Sequence, residues 1–276
     1  MPEGDTVHKI ARALRGRLEG EPLARLWLRE RGPIGALAGA RVREVAAVGK
    51  HLLVALAPRD GGADRVLHVH LGIDGRWRRV EPGSPPLAGE RLRVETAKDG
   101  FACLRAPVTA LLRRVELPGH PALTRLGPDL LAGELDLDVV VARARRRAPP
   151  ILADLLLDQT VACGLGNVYK SELLFLERLA PRTPPGAVAD DRIAALYRRG
   201  RELLLATLGG GRRTTTRPVR PGEPWPLGAP RLWVYERHGQ PCLRCGAPVA
   251  IERHGVLARS TYWCPGCQGA GAPSRC

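Results

Sequence analysis

Pro2 and Glu3 follow the first methionine directly. Removal of Met1 would expose the ring nitrogen of Pro2 as a secondary amine beside a carboxylate. An α-amino group titrates near ~7.7–8.0, against ~10.4 for a lysine amine. At neutral pH a useful fraction is therefore unprotonated and nucleophilic. Attack by such an amine on a sugar C1′ gives an iminium ion, an electron sink that can drive elimination, with Glu3 at hand as the acid/base group. The plain alternative is that Pro2 only permits removal of Met1.

A second constellation lies at the other end of the chain. Cys242-x-x-Cys245 and Cys264-x-x-Cys267 are separated by an 18-residue spacer, the spacing of a four-cysteine zinc ribbon with a β-hairpin between its two knuckles. Four thiolates leave no open coordination position, so the one zinc ion expected here is structural. A redox pair or two disulfides is the alternative. Cys103, Cys163 and Cys276 remain over, and no secretory leader is recognised, which points to a reducing, cytoplasmic setting.

Charge names the partner class. The chain carries 43 Lys+Arg against 28 Asp+Glu, a formal net charge of +15, and a polyanion is the natural counterpart. Arg143, Arg145, Arg146 and Arg147 precede Pro149-Pro150, and Arg212, Arg213, Arg217 and Arg220 stand in a Thr/Pro/Gly-rich stretch. Both groups are expected to face phosphates.

These groups need elements to position them, and the 276 residues exceed one ordinary domain. Val7, Ile10, Ala11, Leu14 and Leu18 recur at helical spacing after Asp5-Thr6, a candidate N-cap, so Pro2 and Glu3 lead straight into an amphipathic helix. Short apolar runs then alternate with turns: Arg41 to Val48, Leu52 to Leu56, Val66 to Leu71, Arg91 to Thr96 and Ala102 to Arg105. That pattern predicts an antiparallel β-sandwich or barrel. The period becomes helical from about residue 136, with Asp136 to Arg146, Ile151 to Thr160, Val168 to Leu179 and Asp190 to Leu208 as helices. No stretch is apolar enough to span a membrane. Between two of these helices Gly164 and Gly166 break the pattern and Asn167 is placed as the cap of the next helix, an arrangement that offers free backbone N–H groups to a phosphate. An ordinary helix hairpin is the alternative.

MPEG at the start, GKHLL at 49–53, LLLDQTVACGLGNVYKSELLF at 155–175 and VYERHGQPCLRCG with RSTYWCPGCQ at 234–268 together resemble the formamidopyrimidine-DNA glycosylase / endonuclease VIII family. The likeness covers nearly the whole chain, and MPEG and RSTYWCPGCQ stand closer to the endonuclease VIII branch. It implies an α+β protein of two lobes: an N-terminal helix with an antiparallel β-sandwich (1–131), then a helix-two-turn-helix module (132–225) and a zinc finger (233–268). Residues 269–276 are expected to be a disordered tail. It also implies a monomeric bacterial base-excision enzyme that binds damaged double-stranded or opened DNA, removes oxidised bases with pyrimidines favoured, and cuts the strand by β,δ-elimination.

Residue by residue, the resemblance makes Pro2 the Schiff-base nucleophile and Glu3 the carboxylate assisting base loss, ring opening and later proton transfers. Lys50, in the GKHLL turn, stands where the family has its β-hairpin lysine. Arg259 stands where the finger grips the phosphates flanking the lesion. Asn167 matches the phosphate-contacting asparagine, and Lys170 and Glu172 of the following helix are placed with it at the DNA. Ile73, in His70-Leu71-Gly72-Ile73-Asp74-Gly75, takes the wedge position that enters the gap left by the extruded base. Two departures stand out: no Arg-x-Phe pair occurs in 98–116, and position 6 is Thr where many relatives carry an acid.

Other residues have plainer readings. His68 and His70 share one face of a strand but lack an evident third metal ligand, and Cys103 and Cys163 read as small buried residues. Trp225, Trp233, Tyr235, Tyr262 and Trp263 cluster near the finger and most of them are expected to pack it, and Asp74, Asp190 and Asp191 to be solvated turn or cap residues. The rival functional readings are a DNA-binding protein of the same fold that has lost chemistry or acts only on abasic sites, and an oxidised-purine glycosylase.

Overall fold

The spacing of Val7, Ala11, Leu14 and Leu18 seals one face of helix α1 (Gly4–Leu18) against a sheet. This computed structural model describes residues 1–217, 223–255 and 257–269, and the chain divides into two compact units, Met1–Arg125 and Leu126–Cys276. The helix starts earlier than expected. Glu3, not Asp5-Thr6, occupies the N-cap, and its carbonyl accepts the N–H groups of Thr6 (3.0 Å) and Val7 (3.1 Å).

The first unit holds nine strands: β1 (Arg25–Leu28), β2 (Gly32–Pro33), β3 (Arg41–Val48), β4 (His51–Ala57), β5 (Arg65–His70), β6 (Arg76–Val80), β7 (Glu90–Glu95), β8 (Gly100–Leu104) and β9 (Val108–Arg113). They form two antiparallel sheets, β2-β1-β7-β8-β6 and β3-β4-β5-β9. One apolar core joins residues of both sheets and α1, from Leu14 through Val45 and Leu67 to Val94 and Cys103. The expected sandwich is therefore present, with its five anticipated strands in place to within two residues at each end, and β1, β2, β6 and β9 added.

A one-turn helix α2 (Pro121–Thr124) precedes the second unit, which contains α3 (Leu137–Arg147), α4 (Leu152–Leu155), α5 (Asn167–Leu176) and α6 (Asp190–Leu208), then β10 (Ala250–His254), β11 (Arg259–Trp263) and α7 (Pro265–Gln268). Asp136 caps α3 through Asp138 and Val139 N–H. The helix expected over 151–160 is one turn only. Asp158 turns the chain by accepting from Thr160 N (2.9 Å) and Thr160 Oγ1 (2.6 Å), and Gln159 ties Leu157 O, Leu165 O and Gly164 N together. Competing side-chain hydrogen bonds of this kind are what end helices. The tail residues 270–276, Arg220 and Val256 lie outside the described residues.

Candidate active site and nucleic-acid interface

In the first unit α1 runs antiparallel to β3. Gly20 N–H donates to Val42 O (2.8 Å), and the Arg15 guanidinium donates to Val45 O (2.8 Å). Moving from Arg15 to Glu3 covers about 18 Å at 1.5 Å per residue. The strand from Val45 to Lys50 covers about 17 Å. The helix therefore carries Pro2 and Glu3 to the end of the sheet where β3 turns into β4. That turn is Gly49-Lys50, and Gly49 takes φ +56°, the positive value a II′-type hairpin needs at its first central residue. Glu3 is fully buried at the positive end of a 15-residue helix, where a carboxylate is favoured. Pro2 is half-buried, and Met1 is 38 % exposed.

Behind Lys50 lies a histidine cluster. His51 Nδ1 and His68 Nε2 share a hydrogen bond of 2.8 Å, His70 lies 4.8 Å from His51 between ring centres, and His120 meets His68 edge-on at 5.0 Å. His51 and His120 thus join the two histidines visible in the sequence. Burial, helped by the neighbouring imidazoles, lowers His51 to about 3, and burial with His120 lowers His68 to about 4. Both rings are neutral at pH 7. The cluster is buried packing against the hairpin, in line with the core alternative.

Ile73 is 54 % exposed at the apex of the turn after β5, as a wedge requires. The β8–β9 connection is Arg105-Ala106-Pro107, which has no Phe to complete an Arg-x-Phe pair. Thr6 donates to Asp5 Oδ1 at 3.3 Å.

In the second unit Asn167 is the first residue of α5, one position further in than expected, because Gly166 takes the cap. Its Oδ1 accepts from Lys170 Nζ (3.3 Å) in the first turn of the helix. Lys170 and Glu172 themselves do not fit as DNA contacts. Both are 0 % exposed. Lys170 Nζ donates to Ser260 O (2.9 Å). Glu172 accepts from Thr215 Oγ1 and from the backbone N–H of Trp233 (2.8 Å), Val234 (2.9 Å) and Tyr235 (2.9 Å). Burial pushes its carboxyl above the ordinary range, while the four donors favour the charged form. Ser171 Oγ accepts from Tyr262 N at 3.2 Å. Residues 170–172 therefore fasten the finger to α5, a role that alternating charge in the sequence did not reveal.

The finger's four cysteines place their sulfurs within 4.8 Å of one another, with Cys242–Cys267 at 3.9 Å and Cys245–Cys264 at 3.4 Å. Tetrahedral Zn–S bonds of about 2.3 Å put sulfurs about 3.8 Å apart, so this set fits a structural zinc ion. Arg259 opens β11 opposite His254, and among the described residues its guanidinium makes no hydrogen bond or ion pair. Trp233 stacks on Phe175 (5.3 Å) and Tyr235 meets Tyr262 (5.0 Å), as expected for finger packing. Trp225 does not join them. It lies between the guanidiniums of Arg217 (4.5 Å) and Arg231 (4.4 Å).

Three of the four arginines before Pro149 also bond within the helical module. Arg143 donates to Thr160 O, Arg145 to Pro185 O, Val188 O and Asp190, and Arg147 to Asp158. Arg145 thus spends its guanidinium inside the helical module, Arg143 and Arg147 each spend one donor there, and Arg146 is exposed. Arg213 lies 4.8 Å from the Tyr169 ring centre.

An antiparallel sandwich led by a helix with Pro-Glu at its start, followed by a helical module and a four-cysteine finger, defines a DNA-processing class. Family models agree in chain order. The formamidopyrimidine-DNA glycosylase N-terminal domain matches residues 1–107, the formamidopyrimidine-DNA glycosylase H2TH domain 126–218, and the zinc finger found in FPG and IleRS 239–269. The chain is 39 % identical to the probable endonuclease 8 2 of Streptomyces coelicolor over 99 % of its length and 96 % of that protein. It is 38 % identical to the DNA-(apurinic or apyrimidinic site) lyase Nei2 of Mycolicibacterium smegmatis over 98 % and 100 %. The crystal structure of the MutM (FPG) protein of Thermus thermophilus matches with TM-score 0.76 at 32 % identity, covering 98 % of this chain and 100 % of that one. The chain belongs to the formamidopyrimidine-DNA glycosylase / endonuclease 8 family. No described helix is long and apolar enough to cross a membrane.

Proposed function

We propose that this chain is a monomeric bifunctional DNA glycosylase and AP lyase of base excision repair, acting in the bacterial cytoplasm with one structural zinc ion, and that it favours oxidised pyrimidines. After loss of Met1, the Pro2 nitrogen attacks C1′. The C1′–base bond breaks, and Glu3 assists departure of the base and opening of the sugar. The resulting iminium acidifies the C2′ proton, so the 3′ and then the 5′ phosphate leave in β- and δ-elimination. Lys50 contacts the backbone and assists proton transfer, Ile73 fills the vacated stack, and Asn167 and Arg259 hold phosphates flanking the lesion. Cys242, Cys245, Cys264 and Cys267 hold the zinc ion that keeps the finger folded.

The observation that carries this reading is the burial of Glu3 at the cap of α1, beside Pro2 and at the Lys50 end of the sheet. The preference for pyrimidines rests on the endonuclease 8 names of the similar proteins and on the segments MPEG and RSTYWCPGCQ. Borohydride trapping on DNA with one oxidised pyrimidine or one abasic site tests it. The expected adduct forms on both substrates, maps to Pro2, and is lost in Pro2→Gly, while Glu3→Gln slows base excision by ~10²–10⁴-fold. Trapping on the abasic site alone would leave a lyase, and binding without trapping would leave a non-catalytic DNA-binding protein.

A further inference from the structure

The turn that presents Ile73 is built from few contacts. Leu71, 2 % exposed, anchors its start in the core. Gly75 N–H closes it by donating to Leu71 O at 2.9 Å. Its middle is fixed by Gly72, whose N–H donates to His70 Nδ1 at 3.2 Å. Gly72 takes φ +62° and lies so close to Pro107 that a Cβ there would stand 2.8 Å from Pro107 Cγ. Only glycine fits this position, and His70 is the side chain that ties it down.

The bond specifies the state of the ring. An imidazolium has two N–H donors and no acceptor, so Nδ1 can accept from Gly72 only in the neutral form. Burial, together with the Lys50 ammonium, keeps His70 below its ordinary value. The ring also lies against His51, the residue after Lys50, so the hairpin and the turn share a wall.

We propose that His70 is a positioning residue for the wedge: its Nδ1 holds the Gly72 N–H so that Ile73 is presented in one conformation, which serves extrusion of a damaged base from a duplex more than the chemistry at C1′. The inference rests on reading Ile73 as the wedge. A bond from residue i to the N–H of residue i+2 is the geometry of an Asx turn, so asparagine can replace the acceptor, whereas phenylalanine keeps a ring but has none.

Single-turnover excision separates the possibilities, using an oxidised pyrimidine in duplex, the same lesion in a single strand, and a preformed abasic site. His70→Phe is expected to slow duplex excision by about tenfold, the ratio that 1.36 kcal/mol represents, and to change single-strand excision and abasic-site cleavage much less. His70→Asn is expected to recover most of the duplex rate, and Ile73→Ala to reproduce the duplex defect. An unchanged duplex rate in His70→Phe while Ile73→Ala is slow overturns the role of His70 and leaves the wedge standing. An unchanged duplex rate in Ile73→Ala overturns the wedge reading itself. Equal losses on all three substrates, or a failure of His70→Asn to recover, shows that His70 acts otherwise than by holding Gly72.

Discussion

Glu3 and Arg259 are presented by different kinds of support. Glu3 caps a 15-residue helix sealed into a core that includes both sheets of the first unit. Arg259 stands on a five-residue strand in a finger whose apolar cluster is Phe175, Val234, Val249 and three of the cysteines. So small a core cannot fix a guanidinium by apolar burial alone. The finger replaces area with point contacts: four thiolates for a metal ion, and residues 170–172 of α5 on its backbone. The first support is distributed and tolerant of single losses. The second is concentrated and sensitive to them.

Removing the metal ion should break the comparison most sharply. Chelation is expected to unfold the finger and abolish tight DNA binding while the first unit keeps its melting transition. Calorimetry with parallel DNA-binding isotherms checks both, and unchanged binding after verified metal loss would remove Arg259 from the interface.

Glu172→Gln comes next. An amide cannot accept from four donors, so about 3 kcal/mol should be lost from docking of the finger. Cleavage by a protease in the segment before Trp233 should rise, with the first unit's melting unaltered.

Near neutral pH the smallest effect belongs to the sandwich, a dependence on pH that grows with acidity. His51 and His68 bind a proton near 6.5 when unfolded but only near 3 and 4 when folded. Between these values the unfolded chain holds more protons, so stability is complete above about pH 6.5 and falls as pH drops through that window. The loss is about 1.4 kcal/mol per pH unit for each histidine. Melting temperatures from pH 7.5 to 4.5 should show this slope in the first unit, and His68→Asn should flatten it.

The same contrast governs what the sequence discloses. β3, β4, β5 and β8 are legible from their apolar runs, and β7 from Leu92 and Val94 at period two. β6 reads Arg-Trp-Arg-Arg-Val and is largely exposed at a sheet edge, so hydrophobic pattern is silent there, and β9 is the other sheet's edge. Pro2, Glu3 and the cysteines are legible because their chemistry depends on chain position and spacing. Lys170 and Glu172 are not. A charged residue on a helix reads as solvated surface, and only the tertiary partners Ser260 and 233–235 show it to be internal. Arg145 fails for the same reason, since the carbonyls it serves are 40 and 43 positions away.

Consecutive residues on an α-helix point about 100° apart. Lys170, Ser171 and Glu172 together therefore engage roughly 200° of the circumference of α5, from Ser260 round to Trp233. The finger is keyed to the helix like a collar on a shaft, unable to rotate about it or slip by a turn without losing the bonds of all three residues at once. The long covalent path from Glu172 to Trp233, 61 positions, is thereby relieved of setting the finger's bearing. Lengthening the stretch between Arg217 and Trp225, beyond Thr215, should leave the aim of Arg259 where α5 puts it.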